Sequence, residues 1–363
     1  MALLTVQDLV QHFPISGSSK KVRAVNGVSF EVEPGETLAL VGESGSGKTT
    51  IGRCILGLIK PTSGLIVFDG HEMGGRRTVR SPEVRGKMQL VFQEPAEGLN
   101  PRLKVHEIIS EPLKALGVAR ADRDARVRRA AHTVGLEEAF LELYAPELSM
   151  GLQQRIGIAR AMISEPRLVV LDEPTSALDP TARAEIIDLV ARIQGERGTA
   201  FLFISHDLSA VRHISHRVAV LYLGMIVEQG PAQKLFAQPS HPYSAGLLSS
   251  VLLPNPKLKR ESTIRLEGEI PSPIDLPAAC YLASRCPLVE PRCREHMPPV
   301  DVVAPRHLVR CFRHAEVSAV EDSVDYFARF QEEAERILSA EVPPDAGLSP
   351  TPDVSQGERK WAS

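Results

Sequence analysis

Gly42-Glu43-Ser44-Gly45-Ser46-Gly47-Lys48-Thr49 decides the fold. It is a complete G-x-x-x-x-G-K-T loop, preceded by a short apolar strand over residues 37–41 and continued as a helix over residues 49–59. Glycines at this spacing let backbone N–H groups curl around phosphates, and the helix that follows presents its positive end to them. Lys48 adds a point charge, and the Thr49 hydroxyl can ligate Mg²⁺. Gly42, Ser44, Gly45, Ser46, Gly47, Lys48, Thr49 and Thr50 are therefore the expected phosphate contacts. A second segment, Leu168-Val169-Val170-Leu171-Asp172-Glu173, is an apolar strand that ends in two carboxylates. α/β sheets place their ligands at the C-terminal ends of strands. Asp172 is expected to hold Mg²⁺, and Glu173, one residue on and pointing differently, to polarise an attacking water as general base. Alone, such a pair reads as an acidic loop opening; downstream of a phosphate loop it reads as hydrolytic machinery.

The bulk properties agree. A chain of 363 residues suggests about two domains, and 43% hydrophobic residues supply a sizeable core. A net charge of -3 argues against nucleic acid as the main partner. The basic residues between 120 and 129 alternate with Asp122 and Asp124, the pattern of a solvated helix face. No segment approaches the ~18 uninterrupted apolar residues of a membrane span. The first eight residues lack a basic leader and carry Asp8, unlike a signal peptide. A cytosolic protein is expected, one that would work at a membrane only by docking on other chains.

Along the chain, strands are expected over residues 24–33, 37–41, 65–68, 88–92, 168–171, 199–204 and 218–223. Helices are expected over 153–162 and 181–193. Between 104 and 139 the spacing turns helical, with Val105, Ile108, Ile109 and Leu113 on one face. Alternating strands and helices imply an α/β fold whose mainly parallel sheet is covered on both faces. After residue 238 prolines become dense, the mark of a small irregular domain held by something other than a large core. Residues 323–339 could form an acidic helix, and 343–363 read as a disordered tail.

With these residues in hand, the chain resembles ATP-binding-cassette (ABC) ATPases. Gln93, in Leu90-Val91-Phe92-Gln93-Glu94-Pro95, resembles the Q-loop, and Leu148-Ser149-Met150-Gly151-Leu152 resembles the LSGGQ signature. Ser176-Ala177-Leu178-Asp179 resembles the D-loop, and His206, in Ile204-Ser205-His206-Asp207, the switch histidine. Phe13 resembles the aromatic that stacks on adenine, with a core aromatic as its rival reading. The likeness spans roughly residues 3–315 and narrows to the ATP-binding subunits of oligopeptide/dipeptide importers. Leu99-Asn100-Pro101-Arg102, His241-Pro242-Tyr243, Gly268-Glu269-Ile270-Pro271-Ser272-Pro273 and four C-terminal cysteines carry that narrowing.

The resemblance implies a P-loop ATPase core with an antiparallel β subdomain over residues 1–100 and 164–238. It implies a helical subdomain bearing the signature over 101–163, an importer-type C-terminal domain over 239–315, and a tail over 316–363. It implies ATP and Mg²⁺ as ligands, with Thr49, Gln93 and Asp172 around the metal and Glu173, His206 and Gln93 in catalysis. It also implies two transmembrane permease subunits docked on residues 101–135, an extracytoplasmic substrate-binding protein, and a place on the cytoplasmic face of the inner membrane. Nickel, glutathione and other small solutes are the alternative cargoes.

In the family two ATPase subunits meet head to tail, and the signature of one faces the ATP of the other. Here Ser149 and Gly151 remain, Met150 replaces a glycine and Leu152 a glutamine. Glycine allows close backbone approach; methionine would crowd it, and leucine removes a polar contact. This chain's own site looks complete and the one it lends its partner looks weakened, so a heterodimer with a paralogous ATPase is expected.

Cys280, Cys286, Cys293 and Cys311 follow a C-x5-C-x6-C-x17-C spacing. It lacks the close pairs of structural zinc sites and of common ferredoxins. The resemblance implies a [4Fe–4S] cluster, with zinc and free thiols as the alternatives. Cys54, after the phosphate loop, reads as a core residue. Two other functions compete: a soluble cassette ATPase acting on nucleic acid or ribosomes, and an exporter or lipoprotein-release ATPase. The single phosphate loop, the modest helical insert and the near-neutral charge count against the first. The C-terminal composition counts against the second.

Overall fold

Two sheets organise the chain. The first is antiparallel, in the order β2-β1-β4-β5, from Leu4–Pro14 (β1), Lys21–Val32 (β2), Ser63–Phe68 (β4) and His71–Glu72 (β5). The second is built on Thr37–Val41 (β3), Met88–Val91 (β6), Leu168–Asp172 (β7), Ala200–Ile204 (β8) and Arg217–Tyr222 (β9). It continues through Met225–Pro231 (β10), Asp301–Ala304 (β11) and His307–Val309 (β12), in the order β11-β12-β10-β9-β3-β8-β7-β6. The computed structural model describes residues 2–73, 82–249 and 264–318. All of these belong to one unit, Met1–Leu252 with Arg260–Val324; the second unit, Leu253–Lys259 with Asp325–Ser363, lies outside the described residues. The expected acidic helix over 323–339 and the tail over 343–363 also lie outside the described residues.

β3, β7 and β8 are buried at every position, as strands covered on both faces must be. β9, β3, β8, β7 and β6 run parallel. Their C-terminal ends therefore share one edge, and every chemically interesting loop leaves from it. The phosphate loop follows β3, Gln93 lies two residues past β6, Asp172 closes β7 and His206 lies two residues past β8. Both sheets feed one apolar core that includes Leu4, Val28, Leu38, Ile51, Cys54, Val170 and Ile204. Cys54 is thus a core residue, and burial pushes its thiol up to about 11.

The helical insert forms as its spacing dictates. In helix Val105–Ala115 the buried side chains include Val105, Ile108, Ile109 and Leu113, and the helix packs on Met150–Met162. Arg120–Thr133 buries only Val127, Ala130 and Ala131, so its charges do face solvent. Arg155 ties this layer to the core, donating to the Val134 carbonyl (2.7 Å) and to Glu185 on helix Pro180–Arg197 (2.7 Å).

The C-terminal region is less separate than its composition suggests. β12 pairs antiparallel with β10, so residues 301–309 extend the main sheet. The buried Glu228 carboxylate on β10 accepts from the N–H groups of Ser240 (2.8 Å) and His241 (3.0 Å) and from His307 Nε2 (2.8 Å). One carboxylate therefore fastens three segments distant in sequence. His241 itself is buried and pushed down to about 3 by desolvation, so it stays neutral and its Nδ1 accepts from the Tyr243 N–H.

Candidate active site at the phosphate loop

The loop's glycines are fixed by space as well as by backbone angle. At Gly47 φ is +102°, and a Cβ would stand 2.3 Å from the Ala24 carbonyl oxygen; at Gly42 φ is +152° and a Cβ would stand 2.2 Å from that of Leu221. No side chain larger than hydrogen fits either position without moving β2 or β9. Gly47 then opens helix Lys48–Ile55 with no side-chain cap, which leaves the first helical N–H groups directed into the loop.

Lys48 is buried and donates from Nζ to the carbonyls of Gly42 (2.8 Å) and Glu43 (3.1 Å). Burial lowers its pKa, against the pull of Glu173, Asp172 and Glu43. The Thr49 hydroxyl donates to Asp172 Oδ1 at 3.0 Å. Desolvation raises the Asp172 carboxyl, opposed by that hydrogen bond and reinforced by Glu173. Glu173 is held at φ +47°, a costly conformation for a residue with a Cβ. Its Oε2 accepts from Gln93 Nε2 at 3.4 Å and lies 3.1 Å from His206 Nδ1.

Ser44, Gly45, Gly47, Lys48, Thr49, Thr50, Gln93, Glu173 and His206 line one cavity of about 510 Å3, together with Ala24. That is the size of a small-ligand site. Gly42 and Ser46 brace the loop from behind; Ser46 Oγ is 3.5 Å from Lys48 Nζ. The structure does not bring every sequence candidate here. Phe13, half-buried on β1 opposite Val22, does not line the cavity. Nor do Ser149, Gly151 and Asp179. Ser149 caps helix Met150–Met162 by accepting from the Leu152 N–H (3.4 Å), and Asp179 caps Pro180–Arg197 by accepting from the Ala182 N–H (3.0 Å). The pairing of Glu43 with Arg285, at 3.0 and 3.2 Å, escaped the sequence reading. The two residues stand 242 positions apart, and nothing local in the sequence pairs them.

A Mg²⁺ ion fits the Thr49 and Asp172 oxygens in donor chemistry, because both are hard oxygen ligands. The cysteine site fits its expected group less well. Cys280, Cys286, Cys293 and Cys311 line one cavity of about 20 Å3, room for about one water. The Cys280 N–H donates to the Cys293 carbonyl (3.1 Å), which helps draw the thiols together. Burial pushes Cys286 up to about 11 and Cys311 up to about 12, so both are neutral thiols in this state. Among the described residues no group of three or more His, Cys, Asp or Glu is arranged to hold a metal ion. The donor set matches the expected cluster in kind and number; the room between the thiols does not match it in this conformation.

A phosphate loop, a carboxylate pair and a histidine on one edge of a parallel sheet define a P-loop ATPase. The ABC transporter family matches residues 25–176, and the family described as oligopeptide/dipeptide transporter, C-terminal region, matches 227–293. A probable peptide ABC transporter ATP-binding protein of Sinorhizobium fredii is 43% identical over 88% of this chain and 92% of its own. The oligopeptide transport ATP-binding protein OppF of Salmonella typhimurium is 42% identical over 86% of this chain and 96% of its own. Among solved structures, cbiO1 from Clostridium perfringens, part of a cbiONQ ABC transporter complex, superposes with a TM-score of 0.58 at 29% identity, covering 65% of this chain and 91% of its own. A dimeric post-hydrolysis structure of the cassette MJ0796 bound to ADP and Pi gives 0.57 at 27% identity, covering 63% and 98%. The chain belongs to the ABC transporter ATP-binding proteins, in the oligopeptide/dipeptide branch. It is an ATPase, and its ligands are ATP and Mg²⁺. No helix among the described residues is long and apolar enough to cross a membrane.

Proposed function

We propose that this chain hydrolyses ATP to energise a binding-protein-dependent importer of di- or oligopeptides, docked on two permease subunits at the cytoplasmic face of the membrane. The observation that carries the reading is Glu173, set between Gln93 and His206 at the rim of the phosphate-loop cavity. In it, loop N–H groups and Lys48 bind the phosphates, Thr49 and Asp172 hold Mg²⁺, and Glu173 takes a proton from the attacking water. His206, largely exposed, orients Glu173 and the γ-phosphate. Mg²⁺ neutralises charge on the phosphate oxygens when bound. Gln93, next to the helical insert, relays docking to the site. Phe13 remains the proposed adenine contact. The nucleotide-binding core would span 1–100 and 164–238, the helical subdomain 101–163 and the importer-type C-terminal domain 239–315. Nickel, glutathione or another small solute is the alternative cargo.

The second ATP site would be completed across a dimer. Ser149 and Gly151 serve the partner's ATP there, and Asp179 lies in the same interface. Met150 is 39% exposed at the start of its helix, free to meet such a partner. With the signature altered, the proposed partner is a paralogous ATPase rather than a second copy. The four C-terminal cysteines are the proposed ligands of a [4Fe–4S] cluster, with zinc as the alternative. Equal iron and sulfide in anaerobically purified protein supports the cluster; zinc without sulfide rejects it.

The deciding experiment is substrate-stimulated ATPase activity of the assembled transporter, with Glu173→Gln in this chain alone. Loss of a general base costs about 10²–10⁴ in rate, so near-complete loss is expected if this chain houses the working site. Retained activity would place hydrolysis at the partner's site and reverse the asymmetry.

A further inference from the structure

Glu43 is the first variable residue of the phosphate loop, and its side chain is not among those lining the nucleotide cavity. It is gripped instead by the C-terminal region. Its carboxylate accepts both ends of the Arg285 guanidinium, at 3.0 and 3.2 Å. Its N–H donates to the Tyr243 hydroxyl at 2.9 Å. Its carbonyl accepts from Lys48 Nζ at 3.1 Å. Arg285 is 9% exposed and lies over the Tyr222 ring, 5.8 Å from its centroid, donating to that hydroxyl at 3.4 Å. Tyr222 and Tyr243 pack on each other with centroids 4.6 Å apart. The Arg285 N–H donates to the Leu282 carbonyl at 2.8 Å, so the turn that carries the neighbouring Cys286 also fixes Arg285. A two-point, charge-assisted pair is both strong and geometrically exacting.

We propose that Arg285 is a positioning residue for ATP binding: by holding Glu43 it sets where the loop offers Lys48 and its N–H groups to the nucleotide phosphates. The proposal rests on the ATPase reading. It makes nucleotide affinity depend on the C-terminal region rather than on the phosphate loop alone. Arg285 does not touch the reacting atoms, so releasing it should loosen binding more than it slows chemistry.

The test uses the full chain in its assembled transporter, with KM for ATP and kcat measured for Arg285→Gln, Glu43→Gln, the double variant and Arg285→Lys. A charge-assisted bond of this kind converts to about tenfold in affinity when part of it is invested in loop position. Each single glutamine variant is expected to raise KM about tenfold and to lower kcat less than about twofold. The double variant should be no worse than the weaker single, because both break the same contact. Arg285→Lys, which keeps the charge and loses the fork, should fall between. Effects that multiply in the double variant, or a lowered melting temperature with KM unmoved, overturn the proposal and leave Arg285 a brace. If Arg285→Gln fails to fold, Glu43→Gln decides: its side chain is 28% exposed on a loop, and a wild-type KM there overturns the proposal. Wild-type protein that fails to bind MgATP would contradict the ATPase reading itself, and is seen before any variant is made.

Discussion

The C-terminal edge of the parallel sheet and the cysteine-rich C-terminal region hold their parts together by opposite means. At the edge, Gln93, Asp172, Glu173 and His206 each sit within two residues of a strand of the parallel sheet, so a continuous ladder fixes their positions. In the C-terminal region the strands are four and three residues long, and single polar groups do the fastening. Glu228 joins β10 to residues 240, 241 and 307, and Arg285 joins the cysteine turn to Glu43. A ladder spreads its load over many bonds, whereas a buried carboxylate concentrates it in one group. The same size of perturbation should therefore act locally at the edge and cooperatively in the C-terminal region.

The sharpest break of this contrast lies inside the phosphate loop. Gly47→Ala must push its Cβ against the Ala24 carbonyl, 2.3 Å away, whereas Gly45, with φ +78°, has nothing within 4 Å of a built Cβ. Displacing a catalytic loop by about 1 Å costs on the order of 10²-fold in rate. Gly47→Ala is expected to abolish measurable ATPase activity to at least that extent. Gly45→Ala carries only the left-handed backbone strain of about 1–2 kcal/mol and should lose much less. Equal losses in steady-state turnover would mean that backbone angle, and not space, governs both. Gly45→Ala should lower the melting temperature by no more than a few degrees.

Stability should respond the other way round. Glu228→Ala leaves two backbone N–H groups and His307 Nε2 without their buried acceptor. The expected cost is about 3 kcal/mol, read by denaturant unfolding, with the C-terminal region exchanging its amide hydrogens first. A loss no larger than that of a surface substitution would show that the sheet, through β12, carries the region without Glu228.

The same difference explains what could be read in advance. Strands 37–41, 168–171 and 199–204 were legible because each is a short, continuous apolar run, and the structure places strands within a residue of those limits. The insert's apolar face was legible because Val105, Ile108, Ile109 and Leu113 follow helical spacing. The helix expected over 49–59 ends instead at Ile55, where a turn through Gly57 at φ +67° closes it. β10 and β12 were missed because their sequences mix Glu228, Gln229 and His307 into positions that are buried. Glu228 and His307 are tolerated there because they pair with each other across 79 residues. The gathering of Gln93, Glu173 and His206 around one cavity followed from shared position on the strand ends. The Glu43–Arg285 pair spans 242 residues and has no periodicity to reveal it.

The smallest expected effect concerns the signature, where the comparison moves from two regions of one chain to two sites of one assembly. Ser149 keeps its capping role, and helix Met150–Met162 keeps its orientation whatever stands at 150. Replacing Met150 by Gly therefore removes a side chain that is 39% exposed without touching the core. In an isolated chain the change should slightly destabilise the helix start, by less than about 1 kcal/mol. In the assembled transporter it should act only on the partner's ATP, through closer backbone approach. Met150→Gly with Leu152→Gln, combined with Glu173→Gln to silence this chain's own site, is expected to raise residual turnover a few-fold. No rise would show that the methionine is accommodated across the interface, and the asymmetry between the two sites would then have to come from the partner's own phosphate loop and carboxylates.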